Sequence, residues 1–376
     1  MKLLTLAKLK HLKGKRVLVR VDFNVPVKNG VVADDFRIQK VLPTLQFLKN
    51  AGAKTIILSH IGREKTDTLL PVSERLALKM EHVFVEDFES DEGKTALLSL
   101  QDGEAALVQN LRKWDGEKNG DKSFAKSLAS LGDIFVNEAF AVSHRKDASV
   151  FALPKLLPAC FGPLFAEEVE NLSLAFKKHY PFLVILGGAK FETKMPLIKK
   201  YLDVADTVFV GGALANNFFK LRGFEVGTSL LDTEIPAKSL LKNKKLVLPA
   251  DVIVDGPSGK VVRSHDAVLS TEKILDGGPE TVILLENFIK KAKFVLWNGP
   301  LGNYEEGFDG ATIAVASALA SSDVLSLIGG GDTVAAIEKV KITNKNLFIS
   351  TGGGAMLDFL AKGTLPGIDA VMKKKK

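Results

Sequence analysis

Phe182-Leu183-Val184-Ile185-Leu186-Gly187-Gly188-Ala189-Lys190 is the stretch on which the fold turns. Five apolar residues without polar alternation read as a strand buried on both faces. The glycine pair ends it, and a helical pattern follows over Lys194–Ala205. A strand buried on both faces and followed by a helix is the repeating unit of a parallel α/β sheet. The unit recurs on either side. In the second half, further strands are expected at Thr207–Val210, Lys245–Leu248, Val252–Asp255, Lys293–Trp297, Val324–Ile328 and Leu347–Ser350. In the first half they are expected at Arg16–Phe23, Ala53–His60, His82–Asp87, Ala105–Asn110 and Asp133–Val136. Helical patterns such as Arg37–Asn50, Lys122–Leu131, Ala213–Leu221 and Thr333–Val340 fall between them.

The chain has 376 residues, more than one core usually serves. Pro154, Pro158, Gly162 and Pro163 break the rhythm near the middle. The expectation is therefore two domains, residues 1–160 and 161–361, with a connecting helix over 165–178. The single cysteine, Cys160, rules out an internal disulfide framework and suits a reducing cytoplasm. Lys8, Lys10, Lys13, Lys15 and Arg16 interrupt any apolar leader core near the start, and no run of 18 apolar residues suggests a membrane span. The net charge of +7 fits either nucleic acid or small anions. No nucleic-acid-binding motif is present, so no nucleic-acid partner is expected.

Ligands of open parallel sheets bind beyond the carboxyl ends of the strands. In the first half those positions carry Asp22 and Asn24, then His60 and Arg63, then Arg112, then His144 and Arg145, while Arg37 opens a helix. A guanidinium matches carboxylate and phosphate oxygens. Several on one rim suit a compact ligand with two anionic ends, whose hydroxyl Asp22 and Asn24 can hold. Any one of these residues alone is more often a solvated charge or a turn cap. The recurrence at one topological position carries the reading.

In the second half the same positions carry Gly187-Gly188-Ala189-Lys190, Gly211-Gly212, Asn298-Gly299-Pro300, Gly329-Gly330-Gly331-Asp332-Thr333 and Gly352-Gly353-Gly354. Glycine lets backbone amides approach phosphate closely, and a helix N-terminus behind it favours the anion. Lys190 and Lys194 stand ready to cover phosphates, and Asp332 can meet a hard cation such as Mg²⁺. Neither G-x-x-x-x-G-K-[ST] nor G-x-G-x-x-G after a strand occurs, and H-E-x-x-H and G-x-S-x-G are absent too. An anion pocket in one domain and a nucleotide floor in the other suggest a kinase that closes a cleft on two substrates.

Val19-Arg20-Val21-Asp22-Phe23-Asn24-Val25-Pro26, Leu58-Ser59-His60-Ile61-Gly62-Arg63, Gln109-Asn110-Leu111-Arg112, Leu296-Trp297-Asn298-Gly299-Pro300 and Ser350-Thr351-Gly352-Gly353-Gly354-Ala355, with the two glycine turns above, resemble the motifs of the phosphoglycerate kinase family in order. The resemblance implies two Rossmann-like, three-layer α/β domains with parallel sheets facing across a cleft. It implies direct in-line phosphoryl transfer between 1,3-bisphosphoglycerate and ADP, giving 3-phosphoglycerate and ATP, by a cytoplasmic monomer using Mg²⁺. By matching position, Asp22, Asn24, Arg37, His60, Arg63, Arg112 and Arg145 hold phosphoglycerate, and Arg37 and Lys190 stabilise the phosphoryl group in flight. Gly188, Ala189, Lys190, Lys194, Gly211, Asn298, Glu305, Gly330, Gly331, Asp332, Thr333 and Gly352–Gly354 hold the nucleotide, with Glu305 on the ribose and Asp332 near the metal. The segment from about residue 362 to 376 is expected to rejoin the first domain. The chain departs from the family at Glu138 and Ala141, where the motif reads Asp-Ala-Phe-Gly, at Ala213 for a third glycine, and at Thr193 and Asn303-Tyr304. Two competing readings are a kinase for another carboxylate and a catalytically silent nucleotide- or RNA-binding relative.

Overall fold

Each apolar run reads as a strand covered on both faces, and in the computed structural model, which describes residues 3–233 and 236–372, these runs line up in two parallel sheets. The first contains β1 (Arg16–Arg20), β2 (Lys54–Leu58), β3 (Val83–Val85), β4 (Ala105–Val108), β5 (Ile134–Asn137) and β6 (Ala159–Phe161), in the order β3-β4-β2-β1-β5-β6. Leu18 of β1 lies between Ile56 and Phe135, and all three are fully buried. Burying each contributes about 1.5–3 kcal/mol. Buried side chains above and below this sheet form separate clusters, around Val19 and Ile57 on one face and around Leu18 and Phe135 on the other.

The second sheet contains β7 (Phe182–Leu186), β8 (Thr207–Val210), β9 (Leu246–Val247), β13 (Phe294–Asn298), β14 (Leu325–Gly329) and β15 (Leu347–Ser350), in the order β9-β8-β7-β13-β14-β15. The intervening β10 (Asp251–Asp255), β11 (Val261–Ser264) and β12 (Lys273–Gly277) form a separate antiparallel sheet with β10 at its centre. This corrects the expectation that Val252–Asp255 continues the parallel series. The Gly256-Pro257-Ser258-Gly259 turn returns the chain at once, so a local hairpin forms instead of a crossover.

Other expectations shift at their edges. The Pro-rich segment before Gly162 contains the edge strand β6. The helix expected over 165–178 is α-helical over Pro163–Leu172 and continues as a 3₁₀ turn over Ser173–Phe176. The helix expected at Thr333–Val340 runs Gly331–Ala336. The helix Pro279–Lys291 went unread in the sequence. Its cap is distant: the Asp251 carboxylate accepts from the amides of Glu280 (3.1 Å) and Thr281 (2.7 Å).

Packing divides the chain into two units. One runs to Glu170 and resumes at Thr364; the other is Asn171–Gly363. The closing helix Pro366–Met372 belongs to the first unit, where the Gly367 amide donates to the Ser143 carbonyl at 2.9 Å. Each large sheet has one switch point where successive strands depart in opposite directions, between β1 and β5 in the first and between β7 and β13 in the second. The loops leaving those strands carry most of the residues considered next.

Candidate functional site

In the first unit, Asn24, Gly62, Arg63, Arg112, Lys118 and Arg145 line one cavity of about 570 Å³. Thus three of the four arginines read from the sequence converge. Arg63 and Arg145 are exposed, while Arg112 is buried and hydrogen-bonded to the Gly62 carbonyl. The loop after β1 is held by the Asn24 carboxamide, which accepts from the Gly62 amide at 2.9 Å. Arg37, the fourth, lies outside the cavity lining. Its guanidinium is engaged by Asp22 at 2.6 Å and by the Asn24 carbonyl at 3.2 Å. Asp22 and Arg37 therefore meet each other first. His60 is buried under the group, and burial together with Arg20, Arg112, Arg145 and Arg37 holds its pKa well below the ordinary imidazole value. Lys118 was not anticipated. It sits on the one-turn helix Asp115–Lys118, a few residues past Arg112, and its ammonium donates to the Arg63 carbonyl at 2.7 Å. A fourth cation on the cavity wall has no motif to announce it.

Glu138, one of the departures, follows β5 directly. It accepts from Thr44 on the helix Phe36–Asn50 and from the amide of Phe165 at the start of the helix Pro163–Leu172. Gly162 leaves room for it, since a Cβ there would lie 2.0 Å from its carboxylate. Burial pushes this carboxyl up to about 7. A raised carboxyl binds its proton in the folded chain at pH values where the unfolded chain has lost it. Stability attributable to Glu138 is therefore greatest below the unfolded value of 4.5 and is lost as pH rises toward 7, by on the order of 3 kcal/mol. Glu138→Gln, a mimic of the protonated form, is expected to remove this fall. Urea unfolding of both proteins between pH 5 and 8 checks it. Parallel pH profiles would place the proton elsewhere.

In the second unit a cavity of about 440 Å³ lies beside the switch point. Gly188, Ala189, Asn303, Glu305 and Asp332 line it, along with apolar Phe219, Leu230, Leu275 and Leu301. The glycines divide by role. At Gly187, Gly212 and Gly299 a Cβ would fall 2.2, 2.8 and 2.1 Å from neighbouring backbone, so these let β7, β8 and β13 end side by side. At Gly331 and Gly353 a Cβ would meet nothing within 4 Å, leaving their backbone open to a ligand. The Asn298 amide nitrogen donates to Gly329 at 2.8 Å and that of Asn216 to Leu230 at 3.0 Å, while the Oδ1 of each is buried without a partner. Thr333 is buried, its hydroxyl accepting from the Gly299 amide at 2.7 Å, so its side chain organises the floor. Gly211 is buried behind Leu301.

Lys190 is exposed and immediately precedes the helix Phe191–Val204, without a side-chain capping bond. Lys194, one turn on, is buried; burial pulls its ammonium down to about 8, opposed by Asp332 and reinforced by Lys190. The apolar slot fits a nucleoside, while Lys190, Lys194, Gly331 and Gly353 lie outside its lining. Among the described residues no three His, Cys, Asp or Glu side chains gather as a metal site. Exposed Asp332 fits a cation that takes one protein carboxylate and finds its other oxygens on phosphate and water. No helix among the described residues is long and apolar enough to cross a membrane.

The family model described as phosphoglycerate kinase matches residues 6–363. The phosphoglycerate kinase of Moorella thermoacetica is 41% identical over 386 residues, covering 97% of this chain and 98% of that one. That of Pelotomaculum thermopropionicum is 39% identical over 382 residues, covering 96% and 97%. The solved phosphoglycerate kinase of Coxiella burnetii superposes with a TM-score of 0.87 at 37% identity, covering both chains completely. That of Pyrococcus horikoshii gives 0.86 at 32%, covering 96% of each. An arginine-lined cavity in one unit, a second cavity beside glycine turns in the other and these matches across almost the whole length lead to one conclusion: the chain belongs to the phosphoglycerate kinase family.

Proposed function

We propose that the chain moves a phosphoryl group reversibly between 1,3-bisphosphoglycerate and ADP, giving 3-phosphoglycerate and ATP, as a glycolytic kinase. The observation that carries the reading is the convergence of Arg63, Arg112, Arg145 and Lys118 on one cavity, in a chain whose other unit offers a nucleotide-sized slot. Phosphoglycerate has a carboxylate and a phosphate, and guanidinium forks suit both ends. Asp22 and Asn24 would hold its hydroxyl, and His60 would donate from beneath. Arg37 would exchange part of its pairing with Asp22 for the substrate.

The family works with ATP or ADP and Mg²⁺. In this chain the open backbone at Gly331 and Gly353, with Gly188, Ala189, Gly211, Gly330, Thr333, Gly352 and Gly354 shaping the floor, would take the phosphates. Asn298 would offer its carboxamide, and Glu305 the ribose its carboxylate. Asp332 and the phosphates would hold Mg²⁺, which neutralises phosphate charge when bound. Lys194 would bind the nucleotide in its ground state, while Lys190 and Arg37 would meet the charge of the phosphoryl group in flight. The attacking group is already an ionised carboxylate or phosphate, so no general base and no covalent enzyme intermediate is needed. The unit ending at Glu170 would be the phosphoglycerate domain and Asn171–Gly363 the nucleotide domain. A single chain working in the cytoplasm completes the reading.

The test is ATP-dependent consumption of 3-phosphoglycerate by pure protein in a coupled assay. Turnover should far exceed that with acetate or carbamate. No turnover, or preference for another carboxylate, would overturn the proposal. Arg63→Ala should raise KM for 3-phosphoglycerate roughly tenfold, the worth of a charge-assisted hydrogen bond, and leave ADP affinity intact. Weakened ADP binding would put Arg63 on the wrong ligand.

A further inference from the structure

Arg20 ends β1 in a run of apolar residues and is 1% exposed. Its Nε donates to Ser149 Oγ at 2.8 Å, and one terminal nitrogen donates to the Val21 carbonyl. The other terminal nitrogen lies 3.2 Å from His60 Nδ1 and 3.9 Å from Glu117 Oε1. Glu117 is fully buried and accepts from the Ser149 amide at 2.9 Å and the Ser149 hydroxyl at 2.5 Å. Arginine, glutamate and serine thus form a closed anchor beneath the cavity that Arg63, Arg112 and Arg145 line.

A guanidinium has donors only. The atom facing it on His60 must accept, so Nδ1 carries no proton. A neutral imidazole without a proton on Nδ1 carries it on Nε2. We propose that Arg20, braced by Glu117 through Ser149, is a positioning residue that fixes His60 as its Nε2–H tautomer, giving the anionic substrate one uncharged, oriented N–H donor. The motif around Arg20 places it next to the ligand loop; only the buried contacts give it this task. The ring stays neutral because it is buried and four cations surround it, Arg20, Arg112, Arg145 and Arg37. The acids nearby, Glu117 and Asp147, act on Arg20 and Arg112. A neutral donor avoids a fifth positive charge among these arginines. It also frees substrate affinity from histidine titration near pH 6.5.

The identity of the ligand rests on the phosphoglycerate kinase reading; the tautomer does not. Nitrogen NMR of histidine-labelled protein tests it directly, with the His60 signals assigned by their loss in His60→Gln. The expected result is an unprotonated Nδ1 and a protonated Nε2 that persist from pH 8 to 5.5. Protonated Nδ1, or a ring that takes up a second proton within that range, would overturn the proposal. Arg20→Gln combined with Glu117→Gln leaves no unmatched buried charge, and glutamine can either donate or accept. In this double variant His60 should become a mixture of tautomers. KM for 3-phosphoglycerate should rise about tenfold with little change in the KM for ATP. A double variant with the wild-type tautomer would also overturn it. If pure wild-type protein fails to consume 3-phosphoglycerate, the reaction reading falls, and the NMR result still decides the tautomer.

Discussion

Lys190→Ala is expected to lower kcat about 100- to 1,000-fold while changing ADP affinity less than about threefold. The magnitude is that of losing one charge that stabilises the transition state, about 3–4 kcal/mol. The asymmetry follows from the surroundings. Lys190 is exposed at the start of the helix Phe191–Val204 on a long, adjustable stem, and no partner among the described residues commits its ammonium in advance. Lys194, by contrast, is buried, and Asp332 already acts on its charge before the reaction begins. Lys194 is therefore suited to binding, and Lys190 to following charge as the phosphoryl group crosses. Steady-state kinetics and calorimetric ADP titration of the same variant decide the point. Equal losses in kcat and affinity would assign Lys190 to ground-state binding.

The second large effect separates two glycines that look alike in sequence. Gly299→Ala is expected to destabilise the chain by about 3 kcal/mol or more, because both of its constraints are severe. Gly299 has φ +98, and its Cβ would fall 2.1 Å from the Gly187 carbonyl oxygen. That strand-end junction has little room to yield. The Gly187 amide donates to Asn298 at 2.9 Å, the Gly188 amide to Pro300 at 2.8 Å, and Trp297 Nε1 to the Gly299 carbonyl at 2.9 Å. Gly331→Ala should leave stability within about 1 kcal/mol, since the residue opens a helix and its Cβ meets nothing within 4 Å. It should weaken ADP roughly tenfold, because the methyl occupies space a phosphate would use. Urea midpoints and ADP affinities for both variants test the division. A stable Gly299→Ala, or a Gly331→Ala with normal ADP affinity, would reverse the roles assigned to these glycines.

Much of the architecture was legible because strands covered on both faces have an unbroken apolar signature. Phe182–Leu186, Thr207–Val210 and Leu347–Ser350 begin and end where their residues suggest. The candidate site residues stood out for a related reason: polar types and glycines recur just past strand ends, where a parallel sheet exposes its loops. What stayed hidden depends on partners far away in the chain. The helix Pro279–Lys291 is capped by Asp251, and the antiparallel sheet arises from a turn whose local geometry outcompetes a crossover. Lys118 reaches the arginine-lined cavity from a single helical turn with no periodicity to mark it.

The amino-acid order alone determined that this chain builds parallel α/β sheets and places arginines after the strands of one and glycines after the strands of the other. Those features follow from burial patterns and backbone freedom, which are local. The tertiary structure decided which arginines share a cavity, that Arg37 is first claimed by Asp22, and which glycines are open to a ligand. It also decided that Arg20 faces His60 across 3.2 Å with Glu117 and Ser149 behind it. Hydrogen-bond direction, charge burial and steric clearance are relations between atoms brought together by folding, and no stretch of sequence contains both partners.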